Sequence, residues 1–162
     1  ARFGMLPAMH RGIAAATRPW LLLRHADPRL SQDWRCVRPT DTTRAGYFRF
    51  VLDRDNPRAR HLERMVAWRS RVLGLPYGDQ GLLIHRDLLR SVGGMRPLPL
   101  MEDVDIARRL GRTRLKPIGA AMLASARRLR RGGYVRRPLL KLICLSLYCA
   151  GLPPRLIARI YG

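Results

Sequence analysis

Short apolar runs alternating with segments of helical period are the feature that most restricts what this chain can fold into. Trp20-Leu21-Leu22-Leu23 stops abruptly at Arg24-His25-Ala26-Asp27, a length that suits a buried strand better than a helix. Gly46-Tyr47-Phe48-Arg49-Phe50-Val51-Leu52 predicts a second strand, with Phe48, Phe50 and Leu52 on one face. Between Pro57 and Gly74, Leu62, Met65, Val66 and Leu73 recur at helical spacing and predict an amphipathic helix. Leu82-Leu83-Ile84 predicts a short strand, followed by a helical turn over residues 87–92 that Gly93-Gly94 stops. Residues 7–17 read as a short helix weakened at Gly12, and residues 120–124 as a further strand. Residues 28–44 hold Pro28, Pro39 and a Thr-Asp-Thr-Thr cluster, so part helix and part loop is expected there. Strands interleaved with helices predict an α/β fold, and 162 residues of which 47% are hydrophobic supply the core of one ordinary domain.

Against this frame the acidic residues stand out, because the chain has 11 of them and 32 basic ones. Glu102, Asp103 and Asp105 fall together in Leu100-Met101-Glu102-Asp103-Val104-Asp105, after Pro97 and Pro99 and ahead of Val104, Ile106, Ala107 and Leu110. That position is the first turn of a helix expected to end at Gly111, where acids answer the helix dipole whatever else they do. Asp27 is a second isolated acid, at the end of the Trp20-Leu21-Leu22-Leu23 run, and the C-terminal end of a buried strand is where an open α/β sheet builds its site. The competing reading makes Asp27 a turn residue ahead of Pro28. Asp79, between Gly78 and Gln80-Gly81, is open to the same reading, and a lone His25 is more often a hydrogen-bonded structural residue than a metal ligand.

Arg24-His25-Ala26-Asp27, Gly74-Leu75-Pro76-Tyr77-Gly78-Asp79-Gln80-Gly81, Met101-Glu102-Asp103-Val104 and Ser125-Ala126-Arg127-Arg128 occur in this order. Together they resemble family 2 glycosyltransferases of the GT-A fold, and more narrowly the bacterial radical-SAM/selenodomain-associated transferases. The resemblance runs from about residue 9 to residue 161. It implies a Rossmann-like, mostly parallel sheet flanked by helices over residues 1–137 and a helical C-terminal extension over residues 138–162. It also implies a hexosyltransferase-like activity that moves a sugar from a nucleotide-sugar donor to an acceptor the residues do not specify.

Residue by residue, His25-Ala26-Asp27 falls on the family's Asp-x-Asp-like motif. The resemblance makes Asp27 the carboxylate that holds Mn2+ or Mg2+ on the donor diphosphate, while His25 replaces the first acid of the motif. Asp103 matches the catalytic base of inverting members, with Glu102 beside it. Asp79 and Gln80 match a loop near the acceptor or leaving group, and Arg127 and Arg128 a basic motif that closes over the diphosphate. Guanidinium groups suit forked contacts with phosphate oxygens, although arginines here also serve simply as solvated charge. Family members begin with a strand and an Asp-Gly-Ser-like segment that grips the nucleotide base. This chain opens at Ala1-Arg2-Phe3-Gly4 and reads as N-terminally truncated against that pattern, so weak or absent donor binding is expected of the fragment alone.

The net charge of +21 invites a nucleic-acid reading, since basic surfaces gain affinity by releasing counterions from phosphate backbones. Two features oppose it. All the basic residues except Lys116 and Lys141 are arginine, a bias that fits a GC-rich genome, and aromatics are 7% of the chain, too few to interleave as a base-stacking platform. No specific nucleic-acid partner is therefore expected, and a non-catalytic basic protein that binds nucleic acid or anionic membrane is the competing functional class. Cys36, Cys144 and Cys149 show no metal-like spacing and read as reduced thiols, which points to the cytoplasm. After Arg127, Arg128, Arg130, Arg131, Arg136 and Arg137 comes an apolar stretch over residues 139–152, shorter than the roughly 20 residues a membrane span requires. Two readings stand for it: a helix lying on the inner, anionic face of the cell membrane, or a helix packed on the domain's own core.

Overall fold

The computed structural model describes residues 5–25, 28–76, 80–125 and 136–161. Helix α1 (Met5–Ala15) leads into strands β1 (Trp20–Leu23) and β2 (Arg29–Leu30), a tight helical turn over Gln32–Cys36, and strand β3 (Ala45–Leu52). Helix α2 (Pro57–Val72), strand β4 (Leu82–His85), helix α3 (Arg86–Ser91) and helix α4 (Glu102–Leu110) follow. Strand β5 (Leu115–Ala124) and helices α5 (Arg136–Cys149) and α6 (Pro154–Tyr161) complete the chain. It is a mixed α/β architecture.

The sheet order is β1-β4-β3-β5-β2. Here the expectation of a mostly parallel sheet is corrected. β4 lies antiparallel to both β1 and β3, β2 lies antiparallel to β5, and β3 with β5 is the one parallel pairing among the described strands. Reversing β4 between β1 and β3 leaves β1, β3 and β5 running in one direction. β5 starts five residues earlier than the expected strand over residues 120–124, because Pro117 and Gly119 disguise its first half. Pro117 sits opposite Tyr47 and lacks the N–H that a ladder needs, and the register slips there before Arg49 pairs with Ala121.

Alternation along the strands divides the core between the two faces of the sheet. Leu21, Leu82 and Ile84 pack on one face with Leu88 and Leu89 of α3, Ile106 and Leu110 of α4, and Ile13 of α1. Phe48, Leu83 and Met122 occupy the other, with Trp20, Leu22, Leu30 and Val37 against them. Helix α2 begins as its sequence dictates, with the Asn56 side chain accepting a hydrogen bond from the Ala59 N–H (2.8 Å) and Pro57 in the first turn. Ala59, Leu62 and Val66 of that helix cover Phe50, Leu52 and Ala124.

The C-terminal helices bury part of their apolar surface on the rest of the chain. Cys144 and Leu145 of α5 and Ile157 of α6 share one buried cluster with Leu75, Met101, Val104 and Ala107. Leu142, Ile143 and Leu156 remain exposed on the same helices. Among the described residues no helix is long and apolar enough to cross a membrane. All three cysteines are free thiols, and burial pushes the Cys144 thiol pKa up.

Candidate functional site

Where β1 ends, the chain turns toward the start of α4, and the two most telling sequence motifs meet. The His25 Nε2 lies 3.7 Å from a carboxylate oxygen of Asp103. Both residues line a cleft of about 40 Å3 with Glu102, Arg24, Gly81 and Pro76, walled on its apolar side by Leu23, Met95 and Ile106. The Arg24 Nη1 donates to the Pro28 carbonyl (2.7 Å), holding the end of the β1 segment to the start of the next described one. Asp27 itself lies outside the described residues, as do Asp79, Arg127 and Arg128.

Helix α4 starts from an unusual residue. Met101 holds φ 67° and ψ 24°, a left-handed backbone that costs energy for a residue with a Cβ, and no side chain caps the helix at that position. Its buried side chain, in the cluster with Val104, Cys144 and Ile157, holds it there. The consequence is directional: Glu102 and Asp103 face the cleft, and Asp103 Oδ1 accepts from the Val104 N–H (2.9 Å). Burial, and after it the adjacent Asp103 charge, raise the Glu102 pKa above its ordinary value, with His25 opposing. Two carboxylates in one cleft, one of them biased toward its protonated form, can divide the roles of proton holder and proton acceptor.

The third acid of the motif goes elsewhere. Asp105 is buried on another side of α4, paired with Arg109 (2.6 Å) and Arg96 (3.4 Å) and accepting from the Tyr148 hydroxyl (3.3 Å). Arg109 also donates to the Val92 carbonyl, and the Arg108 guanidinium lies 5.5 Å from the Tyr148 ring. Burial and the Asp105 charge raise the Tyr148 pKa. Asp105 thus ties α4 to α5 and to the segment before α4. Sequence spacing had the signal for this separation, since residues 103 and 105 lie about 200° apart around a helix.

Gln80, expected to contact substrate, has a buried side chain. It is 2% exposed, and its Oε1 accepts from Ser70 Oγ (2.8 Å) and Arg69 Nη2 (3.1 Å) while its Nε2 donates to the Phe48 carbonyl (3.1 Å). These bonds use the amide to tie Gln80 to α2 and β3, an arrangement that its place in a Gly-rich segment does not reveal. Gly81, next along, has φ 66°, a left-handed backbone that favours glycine, and a Cβ there would also push the Met122 Cε, 2.7 Å away, aside. Arg24, which carries no role in the sequence motif, lines the cleft.

The described donors do not by themselves fit a divalent ion. His25 and Asp103 stand against each other, and among the described residues no three His, Cys, Asp or Glu side chains are grouped to hold a metal. A larger cavity of about 150 Å3 lies at the opposite end of β1, beside Trp20, Arg38, Arg44 and Lys116. Its charge is partly offset within the chain, since Asp41 stands 3.7 Å from both Arg44 and Lys116, and it is remote from the paired acids. No family model, curated protein or solved structure matches this chain.

Proposed function

We propose that the chain is a glycosyltransferase domain of GT-A-like type, moving a sugar from a nucleotide-sugar donor to an acceptor hydroxyl. The observation that carries the reading is the approach of His25, at the end of β1, to Asp103, at the start of α4, with Glu102 in the same cleft. A cleft of about 40 Å3 admits an acceptor hydroxyl but not a nucleoside diphosphate, so the donor would extend out of it, and the reading assigns the diphosphate to Asp27, Arg127 and Arg128, which lie outside the described residues.

In this reading Asp103 takes the proton from the acceptor hydroxyl as the oxygen attacks the anomeric carbon. The bond from that carbon to the diphosphate oxygen breaks, and the diphosphate leaves with its electron pair. Burial, and after it the Asp103 charge, raise the Glu102 pKa, so Glu102 takes up a proton more readily than an ordinary carboxylate and eases the repulsion between the two acids. His25 orients the Asp103 carboxylate. A divalent ion held through Asp27 would supply electrostatic stabilisation of the departing diphosphate. Arg127 and Arg128 would add forked hydrogen bonds to it. The location proposed is the anionic face of a membrane, where a chain of net charge +21 finds complementary headgroups.

That same charge favours a second reading, a non-catalytic basic protein that binds nucleic acid or lipid. One experiment separates them: the full-length gene product incubated with a panel of nucleotide sugars, with and without Mn2+, reading nucleoside diphosphate release. Metal-dependent release from one donor supports the transferase. Absence of release from every donor, alongside tight binding to single-stranded DNA, supports the basic binder.

A further inference from the structure

We propose that the outer face of α2 docks on an anionic phospholipid surface. Met65, Trp68 and Val72 fall at i, i+3 and i+7 on that helix, and all three are solvent-exposed, Trp68 at 58%. Leu73, just past the helix end, is also 50% exposed. This strip is separate from the buried side of the helix, where Ala59, Leu62 and Val66 meet β3. Three large apolar side chains on one exposed helix face are unusual for a soluble surface and mark a place where something binds.

Charge identifies what binds. Arg58, Arg64 and Arg71 are exposed around the apolar strip. Glu63, the one acid within α2, is turned inward, where its carboxylate accepts from the Leu52 N–H (2.8 Å). Asp55, before the helix, pairs with Arg60 (2.9 Å), and among the described residues no acid forms an ion pair with Arg58, Arg64 or Arg71, so the outer face presents an apolar seam bordered by cations. A second copy of the chain would bring Arg64 and Arg71 against their own counterparts, whereas acidic headgroups complement them. Long arginine stems can lie along the acyl boundary with their charged ends among the phosphates, and an indole prefers that same interfacial depth. The inference rests on the membrane location proposed above and is independent of the transfer chemistry. It puts the contact on α2, whereas the C-terminal helices bury Cys144, Leu145 and Ile157 in the core.

The test is co-sedimentation of the 162-residue chain with vesicles of phosphatidylglycerol and phosphatidylcholine, against phosphatidylcholine alone, with circular dichroism confirming the fold of each variant. The Met65→Gln/Trp68→Gln variant should partition roughly tenfold less onto the anionic vesicles and lose the blue shift of indole emission that the wild type shows on binding. Arg64→Gln/Arg71→Gln should weaken binding and reduce its salt dependence. Equal partitioning of wild type and Met65→Gln/Trp68→Gln would overturn the α2 assignment while leaving a charge-driven membrane location in place. Failure of the wild type to bind either vesicle would overturn both. Light scattering supplies a further refutation, if the wild type is a dimer that ignores vesicles and the apolar variant is a monomer.

Discussion

Tyr148 of α5 donates its hydroxyl to Asp105 of α4 across 3.3 Å, so the C-terminal helices are joined to the helix that presents the paired acids. Asp105 is 6% exposed and also carries Arg109 and Arg96, which makes it the hub of the polar contacts behind the cleft. Asp105→Asn should therefore destabilise the domain by about 3–5 kcal/mol, because it leaves the largely buried Arg109 without its counter-charge. Urea denaturation checks this. Unchanged stability would mean that Asp105 is a solvated first-turn acid of no structural weight.

Gln80 gives a comparable test for the loop. Gln80→Ala removes one acceptor and one donor used by Ser70, Arg69 and the Phe48 carbonyl, and should lower stability by about 2–4 kcal/mol through unpaired buried polar groups. A substrate-contacting residue behaves differently. If the variant kept its denaturation midpoint and only raised KM, Gln80 would face the substrate and not the core.

Glu102 makes a prediction in pH. Its folded-state pKa lies above the ordinary 4.5, so the folded chain holds the proton over a range where the unfolded chain has lost it. That contribution to stability is complete below the unfolded value and is lost as pH rises through the raised folded value. Glu102→Gln, which cannot ionise, should therefore gain in melting temperature relative to the wild type as pH rises from acid to neutral. Thermal melts across that range decide it, and a difference constant with pH would contradict the burial of the Glu102 carboxyl.

Local structure was largely written in local sequence. The run Trp20-Leu21-Leu22-Leu23 is β1 as expected, the helical spacing between Pro57 and Gly74 is α2, and α4 stops at Gly111, whose φ of 73° suits only glycine well. Helices α1 and α3 fall within two residues of their expected bounds. Strand direction was not legible. Whether Leu21 faces Ile84 in an antiparallel or a parallel pair depends on contacts between residues far apart in sequence, about which a four-residue apolar run carries no information. The same limit applies to the site. His25 and Asp103 were singled out separately, and only the fold brings them together. A polar residue in a glycine-rich segment reads as exposed, whereas the Gln80 side chain is buried by partners on α2 and β3.

The apolar stretch of the C-terminus had two readings, and its residues divide between them. Leu145 packs in the core while Leu142 and Ile143 stay on the surface. A helix that is apolar on several sides carries no signal in sequence alone for which side a domain will claim.

The proposed transfer chemistry centres on Asp103, and the most direct measurement is nucleoside diphosphate release by the full-length gene product and its Asp103→Asn variant under identical conditions. The substitution removes a base while nearly conserving side-chain volume, so turnover should fall at least about 100-fold, with donor affinity and melting temperature close to wild type. Normal turnover per folded molecule combined with a lower melting temperature would contradict the assignment and leave Asp103 as an acid that answers the dipole of α4.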